Sequence, residues 1–202
     1  MIKIICADMI QADERTYRSL YERASAERKS RADRYRWQED KLRCVAAEAL
    51  LRMALGTDDY RIEKNSSGKP YVSDKKEFFY NISHSGRYVV LAWGNSEVGV
   101  DVQRQDTNTN VSAIANRFFT SDERELLQRE PQRFFEIWTK KESYLKYIGK
   151  GLYQDLGSFS VLTPAPGIRY QYYTLEGGYS LSLCTTEDDL ELKMLDVQQL
   201  LY

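Results

Sequence analysis

Phe78-Phe79-Tyr80-Asn81-Ile82, Tyr88-Val89-Val90-Leu91-Ala92-Trp93 and Glu97-Val98-Gly99-Val100-Asp101-Val102-Gln103 follow one another closely near the middle of the chain. Each run is rich in β-branched and aromatic residues, and turn formers at Ser85-Gly86 and Gly94-Asn95 separate them, so they read as three successive strands. Upstream, Trp37, Leu42, Val45, Ala49, Leu50 and Met53 recur near helical spacing, and Gly56 stands where a C-cap glycine would. A long helix therefore precedes the strands, with Asn65 to Pro70 as a loop between them. Further back, Ala24 to Arg36 is strongly basic, Asp13 to Leu20 predicts a short helix, and Ile2 to Ala7 reads as a strand. Downstream, Thr120 and Glu123 have capping-box spacing. Pro131 opens a helix to about Ile148, closed by Gly149 and Gly151, and short strands follow from Ser158. The order strand, helices, strands, then helices, strands gives an α+β protein of two similar α/β halves, residues 1–100 and 101–202, joined by a tight interface.

Composition narrows the function classes. The chain has 29 basic and 30 acidic residues, a formal charge of −1, which gives no global reason to expect nucleic acid or a membrane surface as partner. No apolar run approaches the roughly 20 residues that cross a bilayer, and Asp8 interrupts the N-terminal strand too early for a signal peptide. Cys6, Cys44 and Cys184 lie far apart without metal spacing, as expected of reduced thiols, and the chain is read as soluble and cytoplasmic. A single histidine excludes a multi-histidine metal site.

Three segments carry chemistry. In Gly99-Val100-Asp101-Val102-Gln103, strand alternation puts Asp101 and Gln103 on one face and the valines on the other. Two side-chain oxygens side by side suit a hard cation, although an ordinary half-buried strand reads the same way. In Trp138-Thr139-Lys140-Lys141-Glu142-Ser143-Tyr144-Leu145-Lys146, Glu142 and Lys146 share a helix face with Trp138 a turn earlier. That pair is either a surface Glu–Lys contact or a partly buried functional pair. In Asn81-Ile82-Ser83-His84-Ser85-Gly86, a strand is expected to end in a turn offering hydroxyls, an imidazole and free N–H groups, which suits a phosphate. A Ser-His nucleophilic pair fits less well, because neighbouring residues seldom point at each other. Arg28, Arg31, Arg43 and Lys69 add scattered basic residues, which by themselves are a solvated charge run.

Together these segments resemble the surfactin-synthetase-activating (Sfp-like) 4′-phosphopantetheinyl transferases. The resemblance is carried by the Asn81–Gly86 and Gly99–Val102 runs, Arg117-Phe118-Phe119, Trp138 to Ser143, Lys146, Gly149-Lys150-Gly151-Leu152 and Gly68-Lys69-Pro70. It implies a pseudo-twofold α+β protein that binds coenzyme A between its halves and moves its phosphopantetheine arm to a carrier-protein serine. The first half would supply coenzyme A contacts from Arg28, Arg31, Arg43, Lys69, Ser83 and His84. The second would hold Mg²⁺ with Asp101 and Glu142, Glu142 also serving as base and Lys146 acting on the reacting phosphate. Many members carry an acid where this chain has Gln103, so its amide oxygen or a water would complete the metal shell. An acyl or peptidyl carrier protein is the implied partner; by its position after Asp101 and its polar character with apolar Val111, Ile114 and Phe118, the segment from about Gln105 to Phe119 is where it is expected to dock, and a monomer suffices. A coenzyme A or carrier-protein binding module without catalysis, and a metal-dependent nuclease, remain open as alternatives.

Overall fold

The computed structural model of the protein describes residues 1–149 and 155–201. Strand β1 (Ile2–Asp8) leads into helices α1 (Glu14–Arg23), α2 (Ala26–Asp33) and α3 (Gln38–Leu55), then the hairpin β2 (Ile62–Lys64) and β3 (Pro70–Val72). Strands β4 (Phe79–Ser85), β5 (Tyr88–Gly94) and β6 (Val98–Arg104) follow. Helices α4 (Val111–Phe118), α5 (Ser121–Arg129) and α6 (Phe134–Ile148) precede β7 (Arg169–Leu175), β8 (Tyr179–Thr185) and β9 (Leu190–Asp196). Two sheets carry the architecture, one ordered β4-β5-β1-β9 and the other β6-β8-β7, so the protein is α+β. Among the described residues no helix is long and apolar enough to cross a membrane.

Strand parity builds the layers. In the first sheet Ile5, Ala7, Val89 and Leu91 face α1 to α3, packing with Leu20, Val45 and Leu50. The alternate residues Ile2, Ile4, Cys6, Val90 and Ala92 face the second sheet and meet Val98, Val100, Val102, Leu181 and Leu183. The far side of the second sheet carries α6, and a third core of Ala115, Phe119, Leu127, Phe134 and Ile137 holds α4 to α6 together. Trp138 belongs to that third core, stacked with Phe119 and Phe134. Helices, sheet, sheet and helix are thus layered in that order, and all three cysteines are buried and unpaired.

Local signals act as the sequence predicts at several ends. Gly56 and Gly149 close α3 and α6 with φ of 66° each. Thr120 and Glu123 form the expected capping box on α5. Pro131 starts a 3-10 turn over Pro131–Arg133 before α6 proper. The reading of Gly151 as a further stop, and the resemblance at Lys150, Gly151 and Leu152, lie outside the described residues.

Elsewhere the structure differs from the expectations. The basic stretch contains a helix, α2, whose N-cap Ser25 accepts a hydrogen bond from the Arg28 N–H. The segment after Asp101 contains α4, capped by Asn110. The Asn65–Pro70 loop is the tip of the β2–β3 hairpin. The Ser83-His84-Ser85 segment is no turn: β4 runs through it, pairing Ser83, His84 and Ser85 with Val90, Val89 and Tyr88. Its backbone is extended along the sheet there, and the expected turn does not form at these three residues. Finally, the sheets do not part at residue 100, because β9 returns to lie parallel beside β1 in the first sheet.

Candidate functional site

Where the two packed sheets meet along β4 and β6, side chains of β4 replace backbone pairing at the free edge of β6. Asn81 Oδ1 accepts from the Val100 N–H at 2.9 Å, Ser83 Oγ from Val102 N–H at 3.2 Å, and Ser85 Oγ from Arg104 N–H at 3.0 Å. Alternate residues of β4 therefore satisfy alternate edge donors of β6, of which the Val100 and Val102 N–H groups would otherwise be buried without partners. This seam fixes Asp101 in place. It is 7% exposed, and its Oδ1 accepts from Ser83 Oγ at 2.9 Å and from Lys146 Nζ at 2.6 Å.

Helix α6 brings the second carboxylate. Its backbone crosses β6 at Gly99, where an added Cβ would stand 2.9 Å from Tyr147 Cα and closer still to Ser143 O and Tyr147 N. Only glycine permits that approach. One register further along, Thr139 Oγ1 and Ser182 Oγ lie 2.7 Å apart, tying α6 to β8. Lys146 Nζ donates to Asp101 Oδ1, to Ser83 Oγ at 2.9 Å and to Val100 O at 3.1 Å. Glu142, one turn earlier, is half-buried, and its carboxyl pKa is raised by burial and then by the negative charge of Asp101, with Lys146 opposing.

The residue beside it, Lys141, is fully buried. Its Nζ meets Glu123 Oε2 at 2.8 Å, Leu156 O at 2.7 Å and Phe159 O at 2.6 Å. Glu123, equally buried, accepts from the Thr120 and Val161 N–H groups as well. This pair clamps α6 to α5 and to the chain at 156–161, behind the face that carries Glu142. Sequence reasoning missed Lys141 as a buried residue, since its partners lie 15 or more residues away in the chain.

A positive field lies on the other side of β4. His84, solvent-exposed, has its imidazole pKa lowered by desolvation from the surrounding protein and then by the charges of Arg43, Lys146 and Arg31, with Asp40 opposing. Arg43 is held by Asp40 at 2.6 Å and donates to Gly86 O at 2.7 Å, while Arg31 is exposed. The remaining sequence-predicted basic residues are placed differently. Arg28 lies against buried Glu48, with 3.5 Å between Nε and Oε2. Lys69 Nζ donates to Glu97 Oε2 at 2.6 Å, Tyr147 O at 3.0 Å and Val98 O at 3.3 Å, so its three protons tie the hairpin tip to the C-terminal end of α6. Arg31, Arg43, His84, Lys146, Asp101 and Glu142 are brought into one neighbourhood; Arg28 and Lys69 are engaged as struts beside it. A cavity of about 260 Å³ lies elsewhere, between α1 and α3, lined by Leu20, Glu48 and Arg52.

The donor set fits a small hard cation. Among the described residues Asp101 Oδ2, the Glu142 carboxylate and Gln103 Oε1 have no hydrogen-bond partner, and the mutual repulsion of the two carboxylates is what a divalent ion would relieve. No cluster of three or more His, Cys, Asp or Glu is present among the described residues, so the ligand set is sparse, as Mg²⁺ tolerates when substrate and water complete its shell.

Fold and site define an α+β protein in which unpartnered carboxylate and amide oxygens stand beside a cationic surface. Residues 97–193 match the model of the 4′-phosphopantetheinyl transferase superfamily, and residues 11–96 that of the 4′-phosphopantetheinyl transferase N-terminal region. The chain is 31% identical to the 4′-phosphopantetheinyl transferase psf-1 of Bacillus pumilus, covering 91% of this chain and 90% of that protein. It is 29% identical to 4′-phosphopantetheinyl transferase Sfp of Bacillus subtilis (strain 168), over 88% and 89% of the two chains. With HetI of Nostoc sp. (strain PCC 7120 / SAG 25.82 / UTEX 2576), also a 4′-phosphopantetheinyl transferase, it shares 29% identity over 73% of this chain and 68% of that one. The chain belongs to the 4′-phosphopantetheinyl transferase superfamily.

Proposed function

We propose that the protein transfers the 4′-phosphopantetheine group of coenzyme A to a serine of an acyl or peptidyl carrier protein, releasing 3′,5′-ADP, with Mg²⁺ as its cofactor. The observation that carries this reading is the meeting of Asp101 and Glu142, both with unpartnered oxygens, beside Lys146 and the Arg31–Arg43–His84 field. Asp101 and Glu142 would hold the ion, with Gln103 or a water completing the shell. Mg²⁺, when bound there, neutralises charge on the phosphates of coenzyme A.

The chain's own groups divide the remaining work. Glu142 takes the proton of the carrier serine, directly or through a water. The serine oxygen bonds to the β-phosphorus as the bond from that phosphorus to the ADP oxygen breaks. Lys146 leaves part of its contact with Asp101 to meet charge on the transferring phosphate. Arg31, Arg43 and His84 bind the 3′-phosphate, a role in affinity more than in rate. One chain supplies every named group, so a monomer suffices, and we place the reaction in the cytoplasm. The roles divide between coenzyme A contacts from residues 1–100 and metal and catalytic groups from residues 101–202, even though β9 of the second half completes the first sheet.

Intact-mass spectrometry of an apo carrier protein incubated with the enzyme, coenzyme A and Mg²⁺ tests the reading. The expected result is a gain of one phosphopantetheine, abolished by EDTA. Coenzyme A binding without any gain across several carriers would instead identify a binding module.

A further inference from the structure

Helix α2 carries Arg28 and Arg31, yet little apolar burial holds it in place. Ala32 is its buried residue, and eight residues are too few for a helix that stands by itself. Two of its polar ties are exposed: Tyr21 Oη donates to Asp33 at 3.0 Å and Lys29 Nζ to Glu22 O at 2.9 Å. Its first turn is anchored differently. Glu48, on α3, is 3% exposed and reaches across to that turn. Its carboxylate accepts from the Ser25 N–H at 3.2 and 3.3 Å, from Ser25 Oγ at 3.3 Å and from Tyr60 Oη at 3.2 Å. Arg28 Nε stands 3.5 Å from the same carboxylate. Ser25 is also the N-cap of α2, its Oγ accepting from the Arg28 N–H. One buried carboxylate, of the sign a helix N-terminus favours, thus holds the cap and the first turn together.

We propose that Glu48 is a positioning residue for coenzyme A binding: by fixing the first turn of α2 it sets Arg31, and Arg28 one turn before it, against the Arg43–His84 field. The inference rests on the functional reading above. The charge of Arg31 already reaches His84, so a small rotation of α2 would change what the two present together. The Ser25 and Tyr60 bonds involve no group that the proposed reaction moves, so the anchor persists when a phosphate draws on the arginines. A plain counter-charge role predicts the opposite sign. Glu48 would then only weaken anion binding, and its neutralisation would tighten it.

Isothermal titration of the full chain with 3′,5′-ADP reads the difference, with KM and kcat for carrier modification measured on the same preparations. Glu48→Gln keeps the reach and loses the charge, whereas Glu48→Asp keeps the charge and falls a methylene short. Both should weaken 3′,5′-ADP binding about tenfold, the weight of one charge-assisted hydrogen bond, with KM rising more than kcat falls. In a chain already carrying Arg28→Ala and Arg31→Ala, Glu48→Gln should change Kd by less than about twofold, because the cations through which it acts are gone. Glu48→Asp carries the comparison if Glu48→Gln does not fold. A wild-type Kd in the folded Glu48 variants, even with a lowered melting temperature, would make Glu48 a stability residue alone and overturn the proposal. Tighter binding, or an undiminished loss in the chain without the two arginines, would overturn it as well. A wild type that binds no 3′,5′-ADP would remove both the phosphate field and the proposal. A wild type that binds it but modifies no carrier would sink only the assigned reaction, and the Kd series would still decide the role of Glu48.

Discussion

Gly99→Ala tests whether the catalytic geometry depends on the close crossing of α6 over β6. The added methyl would stand 2.9 Å from Tyr147 Cα and closer to two other backbone atoms, Ser143 O and Tyr147 N. None of these can rotate away as a side-chain tip would. Relief requires α6 to back off β6 as a unit by about an ångström, an overpacking strain of roughly 1–3 kcal/mol. Glu142 and Lys146 ride on that helix, while Asp101 stays with the seam. A displacement of about 1 Å at a reacting constellation costs on the order of 10²-fold in rate. The expected result is kcat for carrier modification reduced about 100-fold, with the melting temperature lowered and coenzyme A still bound. Carrier modification followed by intact mass, with thermal unfolding measured on the same preparation, reads both. A variant with kcat within about threefold of wild type and unchanged stability would refute the crossing as the element that sets the site, since the overpacking cost would then be missing.

Other perturbations address separate parts of the molecule. Lys141→Met strands the buried Glu123 carboxylate and should cost about 3–5 kcal/mol in urea denaturation, whereas Lys141→Met with Glu123→Gln should recover a large part of it; a double variant no more stable than the single would mean that stranded charge is not the cause. Glu142→Gln should lower kcat by roughly 10²–10⁴-fold. Because the folded-state pKa of Glu142 is raised, the native protein holds its proton more tightly than the unfolded chain, so its contribution to stability falls as pH rises through that window. Glu142→Gln removes that decline, and a melting temperature below wild type at neutral pH would contradict it. His84→Ala should raise KM for coenzyme A about tenfold, the weight of one charge-assisted hydrogen bond. A bound phosphate raises the lowered imidazole pKa, so binding of 3′,5′-ADP should tighten more steeply in wild type than in His84→Ala as pH falls from about 7.5 to 6; parallel pH profiles would remove His84 from the phosphate site. Gln103→Glu should strengthen metal binding, and an unchanged Mn²⁺ titration would show that position 103 does not reach the ion.

The central strands, the long α3, the capping box of α5 and the glycine ends of α3 and α6 were legible because each depends on neighbours within a few residues. Asp101 and Gln103 could be placed on one strand face by parity alone. What stayed hidden depends on partners distant in the chain. Helix α2 is polar on most sides and gives no apolar period, yet Ser25 caps it and buried Glu48 accepts from the Ser25 N–H, fixing its start. The return of β9 to β1 is likewise a long-range choice: Leu192 and Leu195 read as strand residues in either sheet, and nothing local says which edge they join. Lys141 is the sharpest case, since a buried lysine can be recognised only from the carboxylate and two carbonyls that surround it.

The Ser83–His84 pair shows how a small misplacement of a strand end alters a functional reading. If β4 stopped at Ile82, Ser83, His84 and Ser85 would gather around one turn and could converge on a single phosphate. Because β4 continues to Ser85, the sheet's alternation sends His84 toward the arginines of α2 and α3 and Ser83 toward Asp101. The strand thereby serves two needs of opposite sign. One face lies toward the arginines, while the other hydrogen-bonds a carboxylate, and the backbone between them keeps the two at a fixed spacing. Phosphoryl transfer from a substrate that carries one phosphate to be held and another to be attacked requires that separation. In this protein the three-residue alternation Ser83-His84-Ser85 on one edge strand would supply it, with the seam to β6 holding that strand in place.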